Sequence, residues 1–227
     1  MIRLLNKVPH KINIAFSGGV DSLVAAHFFK QGKKDVTLLH FNHGCKYSEL
    51  IEKCCRAWAE DLELPIQVQA IADPVTPPKL SKEDYWRRQR YKFLTATDVP
   101  TVTCHHLDDA METWVWSSLH GAPMVIPYSR QNIIRPFLLT EKAELVRYAQ
   151  RHQLNPVPDP FNDDLSLTRN YIRANLMPHV KVVNPGLAKV VRKRYLNMQY
   201  GTVAQLVERS LHTGVVGGSN PSCTTKI

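Results

Sequence analysis

Residues 17–22 read Ser17-Gly18-Gly19-Val20-Asp21-Ser22 and lie between two apolar patterns of different period. Ahead of them Ile12, Ile14 and Phe16 alternate with Lys11, Asn13 and Ala15, the period of a strand with one preferred face. Behind them Leu23, Val24, Ala26, Phe28 and Phe29 recur at helical spacing and stop at Gly32. A strand, a two-glycine turn and a helix start together make an anion site. Glycines let the backbone approach a ligand, the first N–H groups of the helix point at it, and the helix dipole favours negative charge. Ser17 and Ser22 add hydroxyl donors, and Asp21 is placed to hold a magnesium ion. The spacing is neither that of the P-loop, with its longer loop and lysine, nor GxGxxG. An ordinary turn has no use for Gly-Gly flanked by two serines and an aspartate.

Working outward, a second strand is expected over 36–41, leading into His40-Phe41-Asn42-His43-Gly44. Ser48 is placed as the cap of a helix reaching 62, with Leu50, Ile51, Cys54, Ala57, Trp58 and Leu62 as its core stripe. Pro65 opens a third strand over 66–71, and the proline-rich stretch 73–78 reads as a loop. A helix over 81–97, a strand over 101–104 and a helix over 108–119 follow. A fifth strand is expected at 133–138, then a helix over 140–153 with Glu141 and Glu144 in its first turn. This alternation predicts an α/β fold, a doubly wound, Rossmann-like parallel sheet with ligands at the carboxyl ends of its strands.

A chain of 227 residues, 44% hydrophobic, supports one domain with a real core and a small extension. The excess of Lys+Arg (29) over Asp+Glu (20) suits a polyanionic partner. No run approaches a membrane span and the N-terminus lacks the apolar centre of a signal peptide, so no membrane partner is expected. Cys45, Cys54, Cys55, Cys104 and Cys223 are odd in number and contain no CxxC pair, which predicts reduced thiols in a cytoplasmic or equivalent reducing compartment.

Three further segments carry chemistry. In His105-His106-Leu107-Asp108-Asp109-Ala110-Met111-Glu112-Thr113, Asp109 and Glu112 are three apart and share a helix face. Two carboxylates so placed can bind magnesium or orient an amine, although acids at a helix start also serve its dipole. A zinc reading of His105 and His106 fails, because neighbouring side chains diverge and no cysteine lies at ligand spacing. In Trp86-Arg87-Arg88-Gln89-Arg90-Tyr91, Arg87 and Arg90 are spaced to meet phosphate, against the alternative of a solvated charged face. Past Asp159-Pro160-Phe161-Asn162-Asp163, Arg169 and Arg173 lie one helical turn apart, spaced to grip a nucleic-acid backbone or simply to line a surface helix.

SGGVDS resembles the pyrophosphate-binding loop of the N-type ATP pyrophosphatases, which include GMP synthetase, argininosuccinate synthetase, tRNA thiolation enzymes and tRNA(Ile)-lysidine synthetase. The order SGGVDS, HxxHG, RxxRY, HHxDDxxET, RP, DPxN and TRNxIR is similar to the catalytic domain of the tRNA(Ile)-lysidine synthetase family over residues 11–180. The family's GHHxDDQxET carries Cys104 in place of the glycine and Ala110 in place of the glutamine here. The resemblance implies that the enzyme adenylates a cytidine in a CAU anticodon and lets the amine of free lysine displace AMP, so that AUA is read instead of AUG. It implies that Ser17, Gly18, Gly19, Val20, Asp21 and Ser22 hold ATP, with magnesium at Asp21. Arg87 or Arg90 would steady phosphate, Asp109 and Glu112 would serve the nucleotide and lysine, and Arg169, Asn170 and Arg173 would face the tRNA.

By that resemblance residues 1–180 form the catalytic domain and 181–200 a basic helical extension, with Lys189, Arg192, Lys193 and Arg194 on the nucleic acid. Longer family members carry further tRNA-reading domains, so weaker selection or help from a homodimer partner would follow. Residues 201–227 are expected to form a disordered tail. Its back-translation also admits a tRNA gene. Ala204-Gln205-Leu206-Val207-Glu208-Arg209 can be GCT CAG TTG GTA GAG CGC, similar to a D arm, and Gly218-Ser219-Asn220-Pro221 can be GGT TCG AAT CCN, similar to a T arm. His212 then falls at the anticodon, where its codon can be CAT. Two alternatives stand beside the lysidine reading. A tRNA thiolation enzyme would need a dedicated cysteine, for which Cys104 is the candidate, and an RNA-binding module would carry a vestigial ATP site.

Overall fold

The computed structural model describes residues 1–73, 75–157 and 168–198. The Asp159-to-Asp163 segment and the tail over 201–227 lie outside the described residues. Strands β1 (Lys11–Ala15), β2 (Asp35–Asn42), β3 (Ile66–Ala70), β4 (Thr101–Val102), β5 (Ser129–Arg130) and β6 (Ile133–Ile134) form one sheet in the order β3-β2-β1-β4-β6-β5. Every pairing is parallel except β5 against β6. Helices α1 (Val20–Gln31), α2 (Ser48–Asp61), α3 (Lys82–Leu94), α4 (Leu107–Leu119) and α5 (Lys142–Arg151) flank it. From β1 the chain moves outward to β2 and β3, then returns to place β4 on the other side. That reversal opens a crevice at the carboxyl ends of β1 and β4, the binding position of open α/β sheets.

The alternation expected for β1 is absent, since Ile12, Asn13 and Ile14 are all buried. A central parallel strand is covered on both faces, so both need to be shielded from water. Asn13 sits there because its Nδ2 donates to Thr97 Oγ1 at 3.3 Å. Burying Ile12 and Ile14 completely contributes about 1.5–3 kcal/mol each.

Two other expectations need correction. Ser48 is the first residue of α2 rather than its cap, and its Oγ accepts from the Cys45 N–H at 3.0 Å, fixing the preceding turn. The buried stripe of α2 runs through Cys55, Ala59 and Leu62 with Ile51 and Trp58 at its edges, while Leu50 is exposed. The stretch 133–138 is a strand only at Ile133–Ile134. Pro136 then opens a 3-10 turn, Pro136–Leu139, in which Phe137 and Leu138 are buried.

A second core lies around α4. After α6 (Thr168–Tyr171) comes a π-helical turn, Ile172–Leu176, then α7 (Met177–Val183) and a further helix, α8, over 187–198. Ile172, Met177, Leu187, Val191 and Tyr195 pack with Leu107, Ala110 and Met111 of α4. The Tyr195 hydroxyl donates to the Ile126 carbonyl at 2.8 Å. On the same helix Lys189, Lys193 and Arg194 are exposed, and Arg192 reaches Glu141 at 2.9 Å. No helix among the described residues is long and apolar enough to cross a membrane.

Candidate active site

The SGGVDS turn is held by its own serines. The Ser17 N–H donates to Ser22 Oγ at 3.2 Å, and Ser22 Oγ donates to the Gly19 carbonyl at 3.0 Å. Gly18 has φ of 76°, the left-handed region that favours glycine. A Cβ there would lie 3.0 Å from Cys55 Sγ and 3.2 Å from Val157 Cγ2, so packing excludes a side chain as well. Gly19 caps α1 with no side-chain bond, and Val20, Asp21 and Ser22 begin the helix with no carbonyl one turn behind them. Such free N–H groups at a helix start are suited to an anion.

Asp21, in the first turn of α1, is met from across the crevice by Lys142, the first residue of α5. Lys142 Nζ lies 2.7 Å from both carboxylate oxygens. His106 Nε2 stands 3.9 Å from Asp21 Oδ2. His106 also caps α4: it accepts the Asp109 N–H, while Asp109 Oδ2 accepts the His106 N–H at 2.9 Å. Asp108 Oδ2 accepts the Lys142 backbone N–H at 2.8 Å. The first turns of α1, α4 and α5 are thereby tied at one point.

Asp109 and Glu112 are both buried and share a face of α4, as their spacing predicts. They meet the two arginines of the TRNxIR segment. Arg169 Nη2 lies 2.6 Å from Asp109 Oδ1, and Arg173 donates to Glu112 at 2.8 and 3.1 Å and to Asp109 at 3.2 Å. Burial alone would raise the Asp109 carboxyl, but His106, Arg169 and the His106 N–H hold it below its ordinary range. The hydrogen bonds that Arg173 donates to the Glu112 carboxylate raise its guanidinium further.

Arg87 and Arg90 part company. Arg87 is exposed and lies over the Tyr91 ring at 4.8 Å. Arg90 turns inward, its Nε shut off from solvent with no hydrogen-bond partner. Burial and the charge of Arg90 push His43 down to about 4, and burial pushes His105 down to about 3. Arg135 Nε and His43 Nδ1 are buried and unpartnered too. Arg90, Arg135, His43 and His105 thus form a buried group of cations and neutral histidines near Asp109. Lys142 carried no motif in the sequence, and Arg135 only the short RP motif with no role attached. A lysine at a helix start, opposed to the dipole, is the one local sign that Lys142 has a distant partner.

Asp21 fits magnesium in the way that ion is held beside phosphates, by one carboxylate with the remaining ligands from substrate and water. Among the described residues no group of three His, Cys, Asp or Glu side chains could hold a metal by itself. Cys55 and Cys104 fit no redox or transfer role. Burial pushes Cys55 up to about 12, and burial with the Asp21 carboxylate pushes Cys104 up as well.

Residues 2–180 match the family model of the PP-loop domain. The chain belongs to the PP-loop family of ATP-binding domains. It is 34% identical over 182 residues to the tRNA(Ile)-lysidine synthase of Pseudomonas fluorescens, covering 73% of this chain and 40% of that protein. To the tRNA(Ile)-lysidine synthase of Thermotoga maritima it is 29% identical over 225 residues, covering 88% of this chain and 53% of the relative. The chain therefore spans about half the length or less of these curated relatives. Among solved structures, NMN synthetase from Francisella tularensis superposes with a TM-score of 0.48 at 15% identity, over 82% of this chain and 84% of that one.

Proposed function

We propose that this PP-loop protein is an ATP-dependent tRNA(Ile)-lysidine synthetase. O2 of the cytidine in a CAU anticodon attacks the α-phosphorus of ATP and pyrophosphate leaves. The amine of free lysine then attacks C2, and AMP departs with the oxygen. Ser17 to Ser22 would hold the phosphates with backbone donors and hydroxyls. Magnesium at Asp21 would supply charge to the leaving pyrophosphate. Of the two candidate arginines, Arg90 is favoured for phosphate, because its inward guanidinium has an unfilled donor and Arg87 is spread on Tyr91.

The observation that carries the reading is the paired acids and arginines beside the loop. In the pairs Asp109 with Arg169 and Glu112 with Arg173 the carboxylates are buried and the arginines about half exposed, so removing an arginine leaves a buried carboxylate uncompensated. An amino acid presents both an ammonium and a carboxylate. It can enter between the partners with every charge still matched, which a singly charged ligand cannot do. One of the two carboxylates would then orient the attacking amine and take its proton. Arg169, Asn170 and Arg173 would combine this task with facing the tRNA, and a second copy of the chain would add to the tRNA contacts. The thiolation alternative loses support at Cys104, whose thiol is held protonated.

The test is incorporation of labelled lysine into tRNA with a CAU anticodon, given ATP and magnesium, beside Asp109→Asn. Lysine should enter with the parent chain, and the variant should fall by at least about 100-fold. Pyrophosphate release without lysine uptake would point to another acceptor or nucleophile. Binding of tRNA without pyrophosphate release would favour the RNA-binding module.

A further inference from the structure

Further along α1 and α5 than Asp21 and Lys142, the two helices meet again through a group of rings. His27 Nδ1 and the Tyr148 hydroxyl lie 2.9 Å apart. The ring of His152, the residue that ends α5, stands 4.8 Å from that of His27 and 4.3 Å from that of Tyr148 between centroids. His27 and Tyr148 are half-buried and His152 is exposed. Burial, with the charges of His152 and Lys30, holds His27 below its ordinary value, so its imidazole is neutral and carries one bare nitrogen. Lys30 is itself turned to Glu63, at 2.9 Å. A phenol that accepts the Nδ1–H fixes that bare nitrogen as Nε2, the arrangement found behind histidines that bind metal. A d-block cation sits about 2.0–2.1 Å from an imidazole nitrogen, and so about 3.2 Å from the ring centre. Two rings on one ion, at an angle of about 90–110°, then have centres about 4.5–5.2 Å apart. The 4.8 Å between His27 and His152 falls inside that range.

We propose that His27 and His152 form a surface site for a divalent d-block cation of the Ni²⁺, Cu²⁺ or Zn²⁺ type, with Tyr148 orienting the His27 ring. Imidazole suits these ions, whereas magnesium needs oxygen ligands and does not enter. Water fills the remaining positions, because among the described residues no third His, Cys, Asp or Glu joins the pair. Bound there, the ion clamps the later turns of α1 to the end of α5, the two helices that carry Asp21 and Lys142 in their first turns. An ion that binds the folded chain and not the unfolded one stabilises it by mass action. The site lies away from the SGGVDS turn and does not depend on how that turn is read.

Titration calorimetry of the full chain with Ni²⁺ should show an equivalent that is missing in His152→Gln, whose exposed side chain can be exchanged without disturbing the core. Tyr148→Phe should keep that equivalent with its affinity lowered by about 10- to 100-fold. His10→Gln, which alters an exposed histidine elsewhere, should bind as the parent does. Saturating Ni²⁺ should raise the urea midpoint of the parent and leave that of His152→Gln where it was, and an excess of magnesium should not compete. Equal Ni²⁺ binding by the parent and His152→Gln, displacement of Ni²⁺ by magnesium, or a parent that binds no Ni²⁺ would overturn the site. Unchanged affinity in Tyr148→Phe would overturn the orienting role of the phenol.

Discussion

Burial makes the protonated form of His43 and His105 the costly one. Both are kept neutral, with values near 4 and near 3 against an ordinary 6.5. The unfolded chain therefore binds more protons than the folded one as the pH drops through about 6.5, approaching two more near about pH 5. Stability from these histidines is complete above that value and falls as the pH is lowered, by about 1.4 kcal/mol per pH unit for each group. Urea midpoints measured between about pH 6.5 and 5 should show this slope, and His43→Gln and His105→Gln should each remove about half of it. Asp109 acts the same way lower down: its carboxyl lies below the ordinary 3.8, so the stability that its ion pairs contribute is lost only as the pH falls through that lower value.

At the scale of elements, α4 does the joining. Its N-terminus meets α1 and α5 through His106 and Asp108, and its buried face carries Asp109 and Glu112 toward Arg169 and Arg173. The π-helical turn from Ile172 to Leu176 contains Arg173, and the wider turn sets that guanidinium's approach to Glu112. Helix α8 belongs to the same core: Val191 is fully buried, and Leu187 and Tyr195 nearly so. Leu187→Ala should cost about 2–3 kcal/mol in urea unfolding, while Lys193→Ala on the exposed face should leave stability within about 0.5 kcal/mol. If both helix faces were solvent-borne, the two variants would unfold alike.

Across the molecule, charge and topology serve one purpose. The sheet reversal between β1 and β4 places the anion-binding turn opposite a wall of arginines, and the net charge of +9 favours a polyanion over that opening. The back-translation adds an expectation about the gene itself. The nucleotides coding for residues 204–221 should include pairing D-arm and T-arm stems, with CAT at the codon for His212. Sequencing the gene checks this, and stems that fail to pair end the idea.

The order of strands and helices and the anion-binding turn were legible in the chain because their causes are local. Apolar period, a Gly18 backbone at positive φ and a helix start need only neighbouring residues. The pairing of Asp109 and Glu112 on one face followed from helical spacing alone. What the chain did not reveal depends on distant partners. Whether 133–138 continues as a strand is decided by the burial of Phe137 and Leu138 after Pro136, and the stripe of α2 by the surface it lands on. Arg169 and Arg173 read as cations that grip a nucleic-acid backbone or line a surface helix, and only the fold sets them on carboxylates about sixty positions earlier. Lys142 lies 121 positions from Asp21. An ion pair of that separation costs and gains its energy in three dimensions, and it leaves almost no trace in the residues on either side.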